Sequence, residues 1–128
     1  MSVELDHIII PAHDKQVSAQ FLASILGLSP GSPVGPFIPV RVGNGVTLDY
    51  MDADDFHAHH CAFLVGDAEF DAALARVRDS GITIYADPYH QQPGELNHRG
   101  GGRGFYFDDP NGHNLELFTQ PDGGSQGS

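Results

Sequence analysis

The chain has 128 residues, 40% of them hydrophobic, one cysteine and a formal net charge of −11. This length supports one domain with a core of its own, and the charge argues against nucleic acid and anionic membranes as partners. A single cysteine excludes an internal disulfide framework, no apolar run is long enough to span a bilayer, and no signal-peptide pattern opens the sequence, so a cytoplasmic protein is expected.

Val3–Ile10 alternates as a strand, with Val3, Leu5, His7 and Ile9 on one face and Ile8 and Ile10 on the other. Asp14 is placed to cap a helix whose apolar residues Val17, Phe21, Leu22, Ile25 and Leu26 recur at helical spacing, and Gly27 stops it. The Pro- and Gly-rich stretch 29–39 predicts a loop holding at most a short strand. Ile38–Val42 and Val46–Met51 predict a hairpin about Gly43-Asn44-Gly45, and residues 52–57 a polar connector.

His60–Val65 predicts the next strand. Asp67 is the next cap, Phe70, Ala73, Leu74 and Val77 form an apolar helix face, and Gly81 is the stop. Ile82–Tyr85 predicts a short strand, and 86–102 a long loop of the kind that carries function. Gly104–Asp108 and Asn114–Phe118 then read as two antiparallel strands joined by Asp109-Pro110-Asn111-Gly112. His13, His57 and His113 read as solvated residues, and Cys61 as a small core hydrophobe.

These elements repeat. His7 precedes Asp14 by seven positions, and His60 precedes Asp67 by seven; Asn44-Gly45 and Asn111-Gly112 are each followed by a strand carrying a carboxylate, Asp49 or Glu116. Alternation places the polar residues on one face and apolar neighbours such as Ile8, Ile10, Leu115 and Leu117 on the other. Two imidazoles and a carboxylate on one concave face suit a divalent ion: Fe2+, Mn2+, Ni2+, Co2+ or Zn2+. Taken singly, each residue has a plainer role. A strand histidine can be a satisfied core or surface group, Glu116 can pair with Arg103, and Asp49 can guard a sheet edge.

Leu5-Asp6-His7, the segment beginning His60-Cys-Ala-Phe, and above all Phe105-Tyr-Phe-Asp-Asp-Pro-Asn-Gly-His-Asn-Leu-Glu116 resemble the vicinal oxygen chelate superfamily. That group holds glyoxalases, fosfomycin-resistance enzymes, bleomycin-resistance proteins, extradiol dioxygenases and methylmalonyl-CoA epimerases. The resemblance implies an α+β fold of two βαβββ modules forming a half-barrel. One domain would cover residues 1–120, with modules of about 1–53 and 54–120, followed by a flexible tail at 121–128. It also implies assembly as a homodimer and a metal held by His7, His60 and Glu116. Asp49 falls where glyoxalase I enzymes carry a glutamate, and Tyr106 where fosfomycin-resistance enzymes carry a site tyrosine.

The expected activity is metal-dependent lyase, isomerase or dioxygenase chemistry on a small substrate with vicinal oxygens. Asp49 or His98 is the candidate base and Tyr106 the donor to a developing anion. Arg99 and Arg103 are candidates to receive a substrate carboxylate, or are ordinary surface charges. The alternative is a drug- or metabolite-binding protein without turnover, its aromatic cavity lined by residues such as Phe37, Tyr50, Phe105 and Tyr106.

Overall fold

A computed structural model describes residues 2–121, which form two units divided between Ala58 and His59, just after the polar connector that follows the first hairpin. Among the described residues no helix is long and apolar enough to cross a membrane. The expected tail lies, from residue 122 onward, outside the described residues.

The first unit contains β1 (His7–Ala12), α1 (Lys15–Leu26), β2 (Ile38–Arg41) and β3 (Thr47–Asp52). Its sheet has the order β1-β3-β2, with β1 parallel and β2 antiparallel to β3. β1 thus starts later than the apolar alternation suggests and runs on through Pro11 and Ala12; Val3 and Leu5 precede it and are exposed. The Asp14 side chain accepts hydrogen bonds from the backbone N–H groups of Gln16 (3.0 Å) and Val17 (3.2 Å), satisfying donors that the first turn otherwise leaves orphaned. Gly27 closes α1 with φ 73°, a left-handed conformation that suits glycine.

The buried stripe of α1 is Ser18, Ala19, Leu22, Ala23 and Ile25, whereas Val17 is exposed. The face predicted through Val17, Phe21 and Leu26 is therefore rotated. Small residues at the centre of the contact allow a close approach to the sheet face of Ile10, Val40, Leu48 and Tyr50, all buried, and the larger side chains flank it.

The second unit contains β4 (His60–Leu64), α2 (Asp67–Asp79), a single 3-10 turn (Arg99–Gly101), β5 (Gly104–Asp108) and β6 (Asn114–Phe118). Its sheet repeats the pattern as β4-β6-β5, with β4 parallel and β5 antiparallel to β6. The helix cap is Gly66, one residue before the expected Asp67, which becomes part of the acidic first turn with Glu69. The predicted face of α2 is the one buried: Phe70, Ala73, Leu74 and Val77. Gly81, with φ 75°, ends it, and Ile82 N–H reaches back to the Val77 carbonyl at 3.2 Å. Phe70 meets Phe105 edge-on with ring centroids 5.3 Å apart. With Phe107, Leu115 and Leu117 these residues form the core of this unit, each side chain contributing about 1.5–3 kcal/mol by burial.

Two expectations are corrected. Residues 82–85 form no strand: only Tyr85 pairs, exchanging backbone hydrogen bonds with Tyr106 (2.9 and 2.7 Å), while Gly94 N–H takes the Ile84 carbonyl. The second strand of each module is thus reduced to bridges, Val34 with Phe37 in the first unit and Tyr85 with its neighbours in the second. His113 is not solvated but fully buried; its Nδ1 accepts the His59 backbone N–H at 2.8 Å and its own N–H donates to Asp109 Oδ1 at 2.9 Å. Cys61 is partly buried, which pushes its thiol above the ordinary value, as does the charge of Asp109.

Candidate functional site

Register decides which side chains share a face. In the second unit His60 stands opposite Asn114, and Glu116 stands opposite both Ala62 and Tyr106. His60, Asn114, Glu116 and Tyr106 therefore project from one face. Phe105, Phe107, Leu115 and Leu117 project from the other, into the core.

Glu116 is the centre of the polar face. It lies on the middle strand and is 6% exposed, a depth at which a carboxylate needs partners. His60 Nε2 lies 3.1 Å from its Oε1, and Arg99 donates to its Oε2 at 3.2 Å. Arg99 donates also to the Tyr106 hydroxyl oxygen at 2.5 Å, and the Tyr106 ring stacks on His60 with centroids 5.8 Å apart. Burial pushes the Tyr106 phenol above its ordinary value; the hydrogen bond from Arg99 opposes this and the charge of Glu116 adds to it. The phenol thus stays a proton donor at neutral pH.

Arg99 comes from the 97–102 loop, and a close approach fixes that loop. Asn97 exchanges backbone hydrogen bonds with Gly104 (2.9 and 3.0 Å). A Cβ at Gly104 would come within 2.9 Å of the Asn97 side chain, so a larger residue there would displace the Asn97 amide. Asn97, Arg99, Glu116, Phe118 and Gln120 line a shallow concavity beside the carboxylate.

The first unit presents a related face. Opposite β3, His7 pairs with Thr47 and Ile9 with Asp49, placing His7 and Asp49 on one side. His7 is exposed and its Nδ1 lies 2.8 Å from Asp6 Oδ2. That hydrogen bond raises the imidazole above its ordinary value; slight burial opposes it, and the charges of Asp6 and Asp49 add to it.

Several candidates belong elsewhere. Phe105 is buried on the core face, against Phe70 and Phe107, so it does not line the polar face. Tyr50, opposite Ile10 and Ile38, is likewise in the core of the first unit. Arg103 turns towards α2, where it pairs with Asp71 (2.6 Å) and Asp67 (3.1 Å) and lies over the Phe70 ring. His98 is exposed, and its Nδ1–H donates to the Gly102 carbonyl within its own loop (3.2 Å). Asn114 and His90 were not among the predicted site residues, yet Asn114 holds His60. Its position two residues before Glu116, on the same strand face, is the signal that marks it.

A metal ion can be tested against the donors themselves. His60 Nδ1 lies 2.8 Å from the Asn114 carbonyl, which only accepts, so Nδ1 carries the proton and Nε2 is left with a lone pair. That lone pair faces the Glu116 carboxylate oxygen. Two lone pairs at this separation require a cation between them, a proton or a metal ion, and the tautomer is the one that a histidine ligand adopts. The pair fits as two ligands of such an ion. Among the described residues no three His, Cys, Asp or Glu side chains gather as a complete metal site.

No family model matches the chain. Comparison with solved structures finds Oxidase ChaP-H2, 56% identical with a TM-score of 0.94, covering 96% of this chain and 98% of that one. Oxidase ChaP-H1 is 50% identical with a TM-score of 0.92, covering 94% and 98%. Among curated proteins, Glutathione transferase FosA of Serratia marcescens is 28% identical over 124 residues, 91% of this chain and 81% of that protein. Two βα units, each closing on a carboxylate-bearing central strand, are the fold of the glyoxalases and dioxygenases. The chain belongs to the vicinal oxygen chelate superfamily.

Proposed function

We propose that this protein is a metal-dependent oxidase that acts on a small substrate with two neighbouring oxygens, using His7, His60 and Glu116 as metal ligands. The observation that carries the reading is the His60 Nε2–Glu116 Oε1 pair, whose tautomer leaves a lone pair aimed at a carboxylate. The likeness to two oxidases over nearly their whole length favours oxidation over lyase or isomerase chemistry. The binding-only alternative has less support, because Tyr50 and Phe105 from its aromatic lining lie in the cores.

Two histidines and a carboxylate suit iron(II) in oxygen chemistry, and such an ion supplies Lewis acidity towards chelating substrate oxygens. The protein's own groups do the rest. Arg99 balances the charge of Glu116 from the side away from His60. Tyr106 holds its proton and offers it to an oxygen on which negative charge develops. Asp49, on the face of the first unit that carries His7, is the candidate base. We assign a homodimer as the working form, because β1 and β4 are edge strands and leave Ile8, Ile9 and Leu64 exposed.

The test is dioxygen uptake by iron-loaded protein given catechol or 1,2-dihydroxynaphthalene. Uptake that is lost on chelation and in His60→Ala is expected. Turnover that continues without dioxygen, or that survives chelation, would contradict the reading.

A further inference from the structure

His90 is the one non-glycine residue with positive φ among the described residues, at 59°. A histidine in that conformation is strained, and strain of this kind persists where surrounding contacts impose it. Its contacts lead to the site by two routes. Its ring lies flat on Tyr85, with centroids 4.0 Å apart and 2° between planes. Tyr85 in turn exchanges two backbone hydrogen bonds with Tyr106. Its Nε2 lies 3.0 Å from Asn114 Oδ1, and Asn114 is the residue whose carbonyl receives His60 Nδ1–H.

The directions of these bonds are determined. Asn114 Nδ2 donates to the Pro88 carbonyl at 3.1 Å, which makes Oδ1 the acceptor, so His90 Nε2 carries the proton. Its Nδ1 faces Asp108 at 3.8 Å. The 88–90 segment thus holds both ends of the Asn114 amide, while the backbone of the same residue pairs with β4 and orients His60.

We infer that His90 is a positioning residue for the metal site, fixing the His60 imidazole through Asn114 and the Tyr106 backbone through Tyr85. The inference rests on His60 and Glu116 being metal ligands. Groups that hydrogen-bond a ligand, as the Asn114 carbonyl does His60, typically govern metal affinity by about 10–100-fold. His90 touches no ligand directly and acts through Asn114.

The experiment titrates metal-free, full-length protein with Co(II), following the visible absorption of the bound ion, in wild type, His90→Asn, His90→Gln and Glu116→Gln. Asparagine accepts the left-handed backbone but is too short to reach Asn114. Glutamine places a donor near the position of His90 Nε2. His90→Asn should weaken Co(II) binding about tenfold or more, and His90→Gln should restore most of it. His90→Asn binding as tightly as wild type, or His90→Gln weakening it as much as His90→Asn, overturns the inference. Should His90→Asn fail to fold, a loss of affinity in folded His90→Gln overturns it alone. Wild type that binds no Co(II), or binding that Glu116→Gln does not weaken, overturns the metal reading itself.

Discussion

Asp49 and Glu116 hold the same register position in their respective units: each lies two residues beyond the strand partner of a first-strand histidine. His7 pairs with Thr47 and His60 with Asn114, across parallel ladders of the same strand order. The surroundings then diverge. Tyr106 stands opposite Glu116, whereas Pro39 stands opposite Asp49. The second unit has an aromatic donor beside its carboxylate and the first does not.

His7 offers a test of the first unit. Its hydrogen bond to Asp6 raises the folded imidazole, slight burial opposes this, and the charges of Asp6 and Asp49 add to it. A raised folded value means that the interaction favours folding fully below the unfolded value, near 6.5. The contribution is lost as pH rises through the folded value. Titration of the metal-free protein by NMR should place the His7 midpoint above that of an unperturbed histidine, and Asp6→Asn should lower it. A midpoint unmoved by Asp6→Asn would contradict the assignment.

Phe105 separates packing from chemistry. Its ring is fully buried between Phe70 and Phe107, so Phe105→Ala should cost about 3–5 kcal/mol of stability. Denaturant unfolding measures this. Co(II) affinity in the folded variant should stay close to that of wild type, and a variant of normal stability that has lost substrate binding would return Phe105 to the site.

Arg103 makes the complementary case. Its pairs with Asp71 and Asp67 join the residue that leads into β5 to α2, and their carboxylates are well exposed. Arg103→Ala should lower the melting temperature modestly, by an amount that shrinks in high salt, and leave metal affinity unchanged. A loss of substrate affinity at unchanged melting temperature would show that the guanidinium serves the substrate instead.

Much of this arrangement is legible in the sequence. Asp14 and Gly27 bound α1, the Asn-Gly pairs place both carboxylate strands, and the spacing from histidine to cap reveals the repeat. Alternation, followed strictly, also excludes Phe105 and Tyr50, since each is adjacent to a residue on the polar face. What it hides is tertiary. The acidic partners of Arg103 lie more than thirty residues away on α2. His113 sits in a turn-like pattern yet is buried, because its ring receives the backbone N–H of distant His59. The Tyr85 segment has the composition of a strand, but Gly94 takes the carbonyl of Ile84 and leaves only Tyr85 to pair with β5. The role of Asn114 depends on a backbone carbonyl, which no side-chain pattern announces.

The most direct measurement is the metal content of tag-free protein purified without chelator, compared with Glu116→Gln. Near-stoichiometric transition metal per chain, falling steeply in the variant, is expected. Protein that carries no metal and acquires none on soaking, or a variant that keeps the wild-type content, would contradict the metal reading.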